Sequence, residues 1–455
     1  LRTNKQTNER KGGGGGRMES LEAVVANTLA LSSTFDDLSH LSSLLKQSED
    51  LLVRNLDKLG DVLGALDAGR HSLACLHILD VLSSRVPVGS PDSGEVICRI
   101  SSFINDCSAD QIRLAPELFA SVCHKLKDFV MTAGNLPIKA ILPLQTAIRK
   151  IQPTPEHFTP QHADFTLVCL LSKCYNAALP ILDTDIFEVD PKKTALTPRD
   201  FLLYCYYGGT VYIGLKRFNK ALQLFHHAIT APSTVLNAIT IAAYKKFVLV
   251  SLIVNGQLAQ FPKYTPSIVQ RSLKTQSQAY VNMGNAYATR NVEEVQRCIT
   301  SHHEGFNNDR NLGLAKQVVA SLYKRNIQRL TQTYLTLSLQ DIADTVKLEG
   351  PRDAEMHVLR MIEDGEIFAT INQKDGMVRF HEDSEQYNTM EMAERLDGEI
   401  HSMMKLAGKL TAVDEQISCD RAYLGRMSMR DGRHGRYADP DDFDHVGAQR
   451  ILDPQ

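Results

Sequence analysis

Cysteine pairs at metal or redox spacing are absent from this chain. Its nine cysteines, Cys75, Cys98, Cys107, Cys123, Cys169, Cys174, Cys205, Cys298 and Cys419, are odd in number, scattered, and never stand as Cys-x-x-Cys. They read as reduced thiols packed in an intracellular core, which excludes a disulfide framework and a zinc ribbon. No His-x-His, no Gly-x-x-x-x-Gly-Lys and no Gly-x-Ser-x-Gly occurs, so the signatures of zinc hydrolysis, phosphate-loop chemistry and a serine nucleophile are all missing. His71, His77, His124, His157 and His162 avoid ligand spacing, and His226-His227 and His302-His303 are adjacent pairs that point to different sides of a helix. No catalytic residue, metal or cofactor is expected. The longest apolar run, Phe247 to Val254, is too short to cross a bilayer. Fifty basic against fifty-three acidic side chains leave a formal charge of -3, so neither nucleic acid nor an anionic membrane is implied as a partner.

What is present is helix. The 455 residues suffice for two or three domains. Leu1 to Arg17 are polar, basic and glycine-rich and lack the apolar core of a signal peptide, so they are set apart as a non-native or disordered leader, with Met18 as the expected start. Residues 18–198 read as N-terminal helical repeats, broken at Val86-Pro87-Val88-Gly89-Ser90-Pro91 and again at Gln152-Pro153-Thr154-Pro155 with Pro160. Residues 199–333 form a second helical part. Within it Leu202 to Ile229 resembles a tetratricopeptide-type hairpin at Gly209, Tyr212, Phe218, Ala221, Leu222, Phe225, Ala228 and Ile229. Gly209 lets the helices approach closely, and Lys216 occupies the turn position where such repeats usually have glycine. Ala279, Met283, Ala286, Val292, Val295 and Ile299 suggest a degenerate second copy. Repeats of this kind bury a core only by stacking, which predicts a helical solenoid.

Residues 334–385 change period. A short strand, Tyr334 to Leu337, leads to Ser338 and Asp341, a capping-box start. Leu339, Ile342, Ala343 and Val346 then mark one helical face, and Pro351 opens a second helix ended by Gly365. Alternation at Ile367, Ala369 and Ile371, a turn at Asp375-Gly376, and alternation at Val378 and Phe380 predict a hairpin. Strand, helix, helix, hairpin is the order of a winged helix. Its second helix carries Arg352 and Arg360 against Asp353, Glu355, Glu363 and Asp364, the wrong balance for phosphate contacts, although Lys374 and Arg379 lie on the wing.

Residues 386–427 predict one long helix, Thr389 to Met427, whose Met392, Leu396, Ile400, Met403, Leu410, Val413 and Ile417 form a bundle seam. Those seven side chains cover about 400 to 800 Å², at or above the roughly 300 to 600 Å² of a monomer's largest exposed patch. The helix therefore either folds back on its own solenoid or packs with helices of other chains. Residues 428–455 are expected to be a disordered tail.

A helical-repeat solenoid running into a winged helix, with Met361 to Phe380 reading MIEDGEIFATINQKDGMVRF, resembles the PCI domain shared by the proteasome lid, the COP9 signalosome and a eukaryotic translation initiation factor. From Met18 onward the likeness is to the plant form of one COP9 signalosome subunit. The resemblance implies a mainly α, non-catalytic scaffold in a nuclear and cytoplasmic complex that removes the modifier Nedd8 from cullin-RING ubiquitin ligases. It implies as partners other PCI subunits and the metalloprotease-containing subunits, with the cullin ligases contacted indirectly. The interface expected from it has two parts. One is sheet-edge pairing through Tyr334, Leu335, Thr336, Leu337, Ile367, Phe368, Ala369, Thr370, Ile371, Met377, Val378, Arg379 and Phe380. The other is the seam from Met392 to Ile417. The equivalent PCI subunit of the 26S proteasome lid and a nucleic-acid-binding PCI module of the messenger-RNA export type stand as alternatives.

Overall fold

The structure, a computed structural model, describes residues 21–434 apart from 32–34, 88, 91, 133–136, 233–235, 263, 266 and 383–388. The leader 1–17 and the tail beyond residue 434 lie outside the described residues. The chain forms two compact units, Leu1–Thr333 with Gln340–Val358, and Tyr334–Leu339 with Leu359–Gln455.

The first unit is a succession of antiparallel helices. Near its start Ser72–Arg85 packs against Pro116–Thr132, and ten of the fourteen residues of Ser72–Arg85 are buried, so that helix is enclosed on nearly every side. Ile141–Ile151 and Gln161–Leu171 pack next, and the latter lies on Pro198–Gly214. Pro198–Gly214 and Phe218–Thr230 are the hairpin expected from the repeat pattern. A Cβ on Gly209 would lie 2.7 Å from the ring of Phe225, so only glycine permits that approach. The degenerate copy also forms a hairpin, Gln278–Ala288 and Val292–Ser301.

The turns between helices share one device. Among the described residues six non-glycines have positive φ, and five of them, Lys173, Lys216, Arg290, Arg310 and Lys347, stand where one helix ends and another follows. At four of the five the next amide reaches back five residues: Cys174 N to Cys169 O at 3.0 Å, Arg217 N to Tyr212 O at 2.9 Å, Asn311 N to Phe306 O at 2.8 Å and Leu348 N to Ala343 O at 2.9 Å. This is the Schellman closure with a basic residue in the glycine position. The left-handed conformation costs about 1 to 2 kcal/mol, and a cation at the negative end of a helix offsets part of that.

Polar groups inside the first unit are paired across helices. Asp183 accepts from Tyr212 Oη at 2.7 Å and Lys220 Nζ at 2.6 Å. Asp309 accepts from Tyr280 Oη at 2.8 Å and Lys245 Nζ at 2.7 Å. Neighbouring Lys246 donates to Asn311 Oδ1 at 2.7 Å, and burial pushes its pKa down to about 8 against the pull of Asp309. Both lysines belong to Ala238–Asn255. That helix corrects the short apolar run read from sequence, since by length and composition it could cross a membrane, but it is largely buried within the first unit against its neighbours. The cysteines need a correction too: five are buried, whereas Cys98 and Cys419 are exposed.

Burial drives two histidines, His77 and His162, down to a pKa of about 4. At His77 the nearby Asp80 opposes that shift and Lys46 adds to it. At His162 a backbone hydrogen bond at Thr159 opposes it.

Candidate assembly interface

The second unit contains a three-stranded antiparallel sheet of β1 (Thr336–Ser338), β2 (Ala369–Asn372) and β3 (Met377–Phe380), in the order β1-β3-β2. Pairing runs Thr336 to Arg379 and Ser338 to Met377 on one side, Ala369 to Phe380 and Asn372 to Met377 on the other. The β2–β3 turn spans four residues. Asn372 Nδ2 donates to Asp375 Oδ2 at 2.6 Å, Asn372 Oδ1 accepts from Lys374 N at 3.2 Å, and Gly376 takes φ 62°.

This topology corrects the expected edge. β3 is central and bonded on both sides, so the backbones of Met377, Val378, Arg379 and Phe380 have nothing left to offer a partner strand. Val378 and Phe380 also point inward and are buried, while Met377 and Arg379 reach solvent by side chain alone. The outer edges belong to Thr336 and Leu337 in β1 with Ser338, and to Ala369, Thr370 and Ile371 in β2 with Asn372. Neither edge carries a charge or a proline, the usual guards against pairing.

Four predicted strand residues fall outside the strands. Tyr334 and Leu335 precede β1, and Leu335, 79% exposed, still accepts from Phe380 N at 2.8 Å. Ile367 and Phe368 precede β2. There the chain is still wrapping the end of helix Pro351–Glu363, with Gly365 at φ 69° and the amides of Glu366 and Ile367 directed to Met361 O. Ile367 is buried and Phe368 exposed, its carbonyl accepting from His381 N at 2.8 Å.

The long C-terminal helix is two helices. Met390–Ser418 starts at Thr389, whose Oγ1 accepts from Met392 N at 3.3 Å, and ends at Cys419 and Asp420. Arg421–His434 follows, running seven residues into the segment expected to be a disordered tail. Not one residue of Met390–Ser418 is buried. Leu396, Ile400, Met403, Leu410, Val413 and Ile417 are exposed, Met403 at 69%, and Met392 is half-buried. Leu406 is exposed as well and belongs to the seam. It stands three residues after Met403 and four before Leu410, the spacing that should have placed it there. Arg395 meets Glu399 at 3.1 Å, one of the i,i+4 pairs worth about 0.3 to 0.5 kcal/mol, and Glu399, seven residues after Met392 and seven before Leu406, puts a charge within the stripe itself.

Comparison with known sequences gives the context for these surfaces. Residues 35–269 match the family model described as COP9 signalosome complex subunit 3, N-terminal helical repeats, and residues 298–382 match the PCI domain. The COP9 signalosome complex subunit 3 of Arabidopsis thaliana is 46% identical over 432 residues, 95% of this chain and 98% of the relative. Its namesake in Dictyostelium discoideum is 37% identical over 410 residues, 88% of this chain and 96% of the relative. Helical repeats, winged-helix element order and full-length likeness thus agree, and the chain belongs to the COP9 signalosome subunit 3 family.

Proposed function

We propose that the chain is a non-catalytic scaffold subunit of the COP9 signalosome, the complex whose expected chemistry is removal of Nedd8 from cullin-RING ligases. The observation that carries this reading is the open apolar stripe of Met390–Ser418, with none of its residues buried. A contiguous exposed apolar face of this kind is the mark of an interaction surface. The two unguarded edges of the sheet supply a second contact of different geometry, backbone pairing with the sheet of a neighbouring PCI subunit. The partners are other PCI subunits and, through them, the metalloprotease-containing subunits. The chain itself holds no His-x-His with which to bind the zinc of such a reaction. Residence in nucleus and cytoplasm follows from that complex.

Full-length relatives named for the signalosome favour this reading over a proteasome-lid subunit. The acidic balance of helix Pro351–Glu363 weighs against a nucleic-acid module. The test is native mass spectrometry of the tagged chain isolated from its own cells. Recovery in an assembly with several PCI chains and a His-x-His metalloprotease is expected. Recovery with proteasome base subunits, with RNA, or as a lone chain would overturn the proposal.

A further inference from the structure

Five hydroxyl residues precede a proline: Ser90-Pro91, Thr154-Pro155, Thr159-Pro160, Thr197-Pro198 and Thr265-Pro266. Such dipeptides are the acceptor pattern of proline-directed protein kinases, whose sites accommodate a residue without an N–H after the acceptor. The fold sorts them. Thr159 is 0% and Thr265 4% exposed. The hydroxyl of Ser90 is buried. Thr197 is the N-cap of Pro198–Gly214, its Oγ1 accepting from Asp200 N at 3.3 Å and donating to Asp200 Oδ2 at 2.6 Å. Pro153, Thr154 and Pro155 are exposed together, in the loop between Ile141–Ile151 and Gln161–Leu171.

We propose that Thr154 is a phosphorylation site for a proline-directed Ser/Thr kinase: Thr197 is also exposed, but its hydroxyl is engaged in a capping box, whereas Thr154 is exposed and caps no helix. Its surroundings suit both acceptor and product. Thr154 Oγ1 lies 2.7 Å from His157 Nδ1, and His157 Nε2 lies 2.7 Å from Glu188 Oε2. A proton on Nε2 facing the carboxylate leaves Nδ1 to accept from the threonine hydroxyl. In the transfer, Oγ1 bonds to the γ-phosphorus of ATP and the bond from that phosphorus to the β-γ bridging oxygen breaks. ADP leaves, and the hydroxyl proton passes to the base of the kinase.

A phosphate on Thr154 would face the His157 ring, which stands between it and Glu188. Arg113 supplies a cation to the same loop, its Nη2 donating to Gln152 O at 2.6 Å while Nη1 lies 3.7 Å from Asp110. Phe158 N already donates to Glu188 O at 2.9 Å, so the phosphate would sit beside an existing tie between two loops.

The experiment treats the full-length folded chain with a proline-directed kinase and ATP, then maps phosphate by peptide mass spectrometry. One phosphate per chain, on Thr154, is expected, with at least tenfold less in T154V and in P155A, which keeps the threonine. A urea-unfolded sample should accept phosphate at the other four dipeptides as well. No incorporation into the folded chain, incorporation centred on any of the other four, or undiminished labelling of T154V would overturn the proposal.

Discussion

Two helices of this chain are rich in apolar residues and meet opposite fates. Ala238–Asn255 is apolar around most of its circumference and is enclosed, with its two lysines tied to Asp309 and Asn311. Met390–Ser418 gathers most of its large apolar residues on one stripe among charged neighbours and buries nothing. The difference lies in the width of the apolar sector. An all-round sector must find its partners inside the same chain as it folds, whereas a narrow stripe lets the helix remain in water until a partner arrives. One helical code thus specifies an internal core in one place and an open apolar stripe in the other.

That contrast can be broken most sharply by removing the open helix. Deleting residues 389–455 is expected to abolish incorporation into the complex while leaving the urea midpoint of the solenoid unchanged. Full occupancy of the truncated chain in the purified assembly would remove the seam from the argument. Truncating single side chains gives the next largest effect. Phe225→Ala, in the repeat hairpin, should cost about 3 to 5 kcal/mol in urea unfolding, and Leu410→Ala less than about 0.5 kcal/mol. Comparable losses from the two would mean that the stripe is covered within the chain.

Acid sharpens the comparison further, because the buried histidines lie in the solenoid. His77 and His162 fall from 6.5 to about 4 on folding, so between those values the unfolded chain binds the proton and the folded one does not. Stability therefore drops as pH falls from 6.5 to 4, by about 3 kcal/mol for each histidine at about 1.4 kcal/mol per unit. Unfolding of His77→Leu measured across that range should show a loss smaller by about that amount. One substitution gives a small gain. Lys216→Gly relieves a left-handed residue, φ 58°, and should add about 0.5 to 1 kcal/mol by thermal unfolding.

The repeat hairpin was legible because its contacts are local. Gly209, Tyr212 and Phe225 stand at the spacings that bring two helices together, and the structure packs them so. The winged-helix order was legible from alternation and from Gly365 and Gly376. Its register was not, because strand ends depend on which strand lies in the middle, and nothing local marks β3 as central. Tyr334, Leu335, Ile367 and Phe368 were misplaced for that reason. The break at Cys419 and Asp420 was hidden since neither residue forbids helix. Lys216 could not announce its conformation, as a left-handed lysine is chosen by the closure of the turn and not by the residue's own preference. In the seam, Leu406 was readable at spacing three and was passed over between two stronger positions.

If partners cover the stripe as proposed, its exposure before assembly has a consequence for dosage. On the proposed assembly, copies made in excess of their partners would carry a degradable and chaperone-binding surface that assembled copies hide, and the supply of the rest of the complex would set how much of this chain persists. Pulse-chase labelling should show two lifetimes, the shorter belonging to unassembled chain, and co-expression of the partners should convert the first into the second.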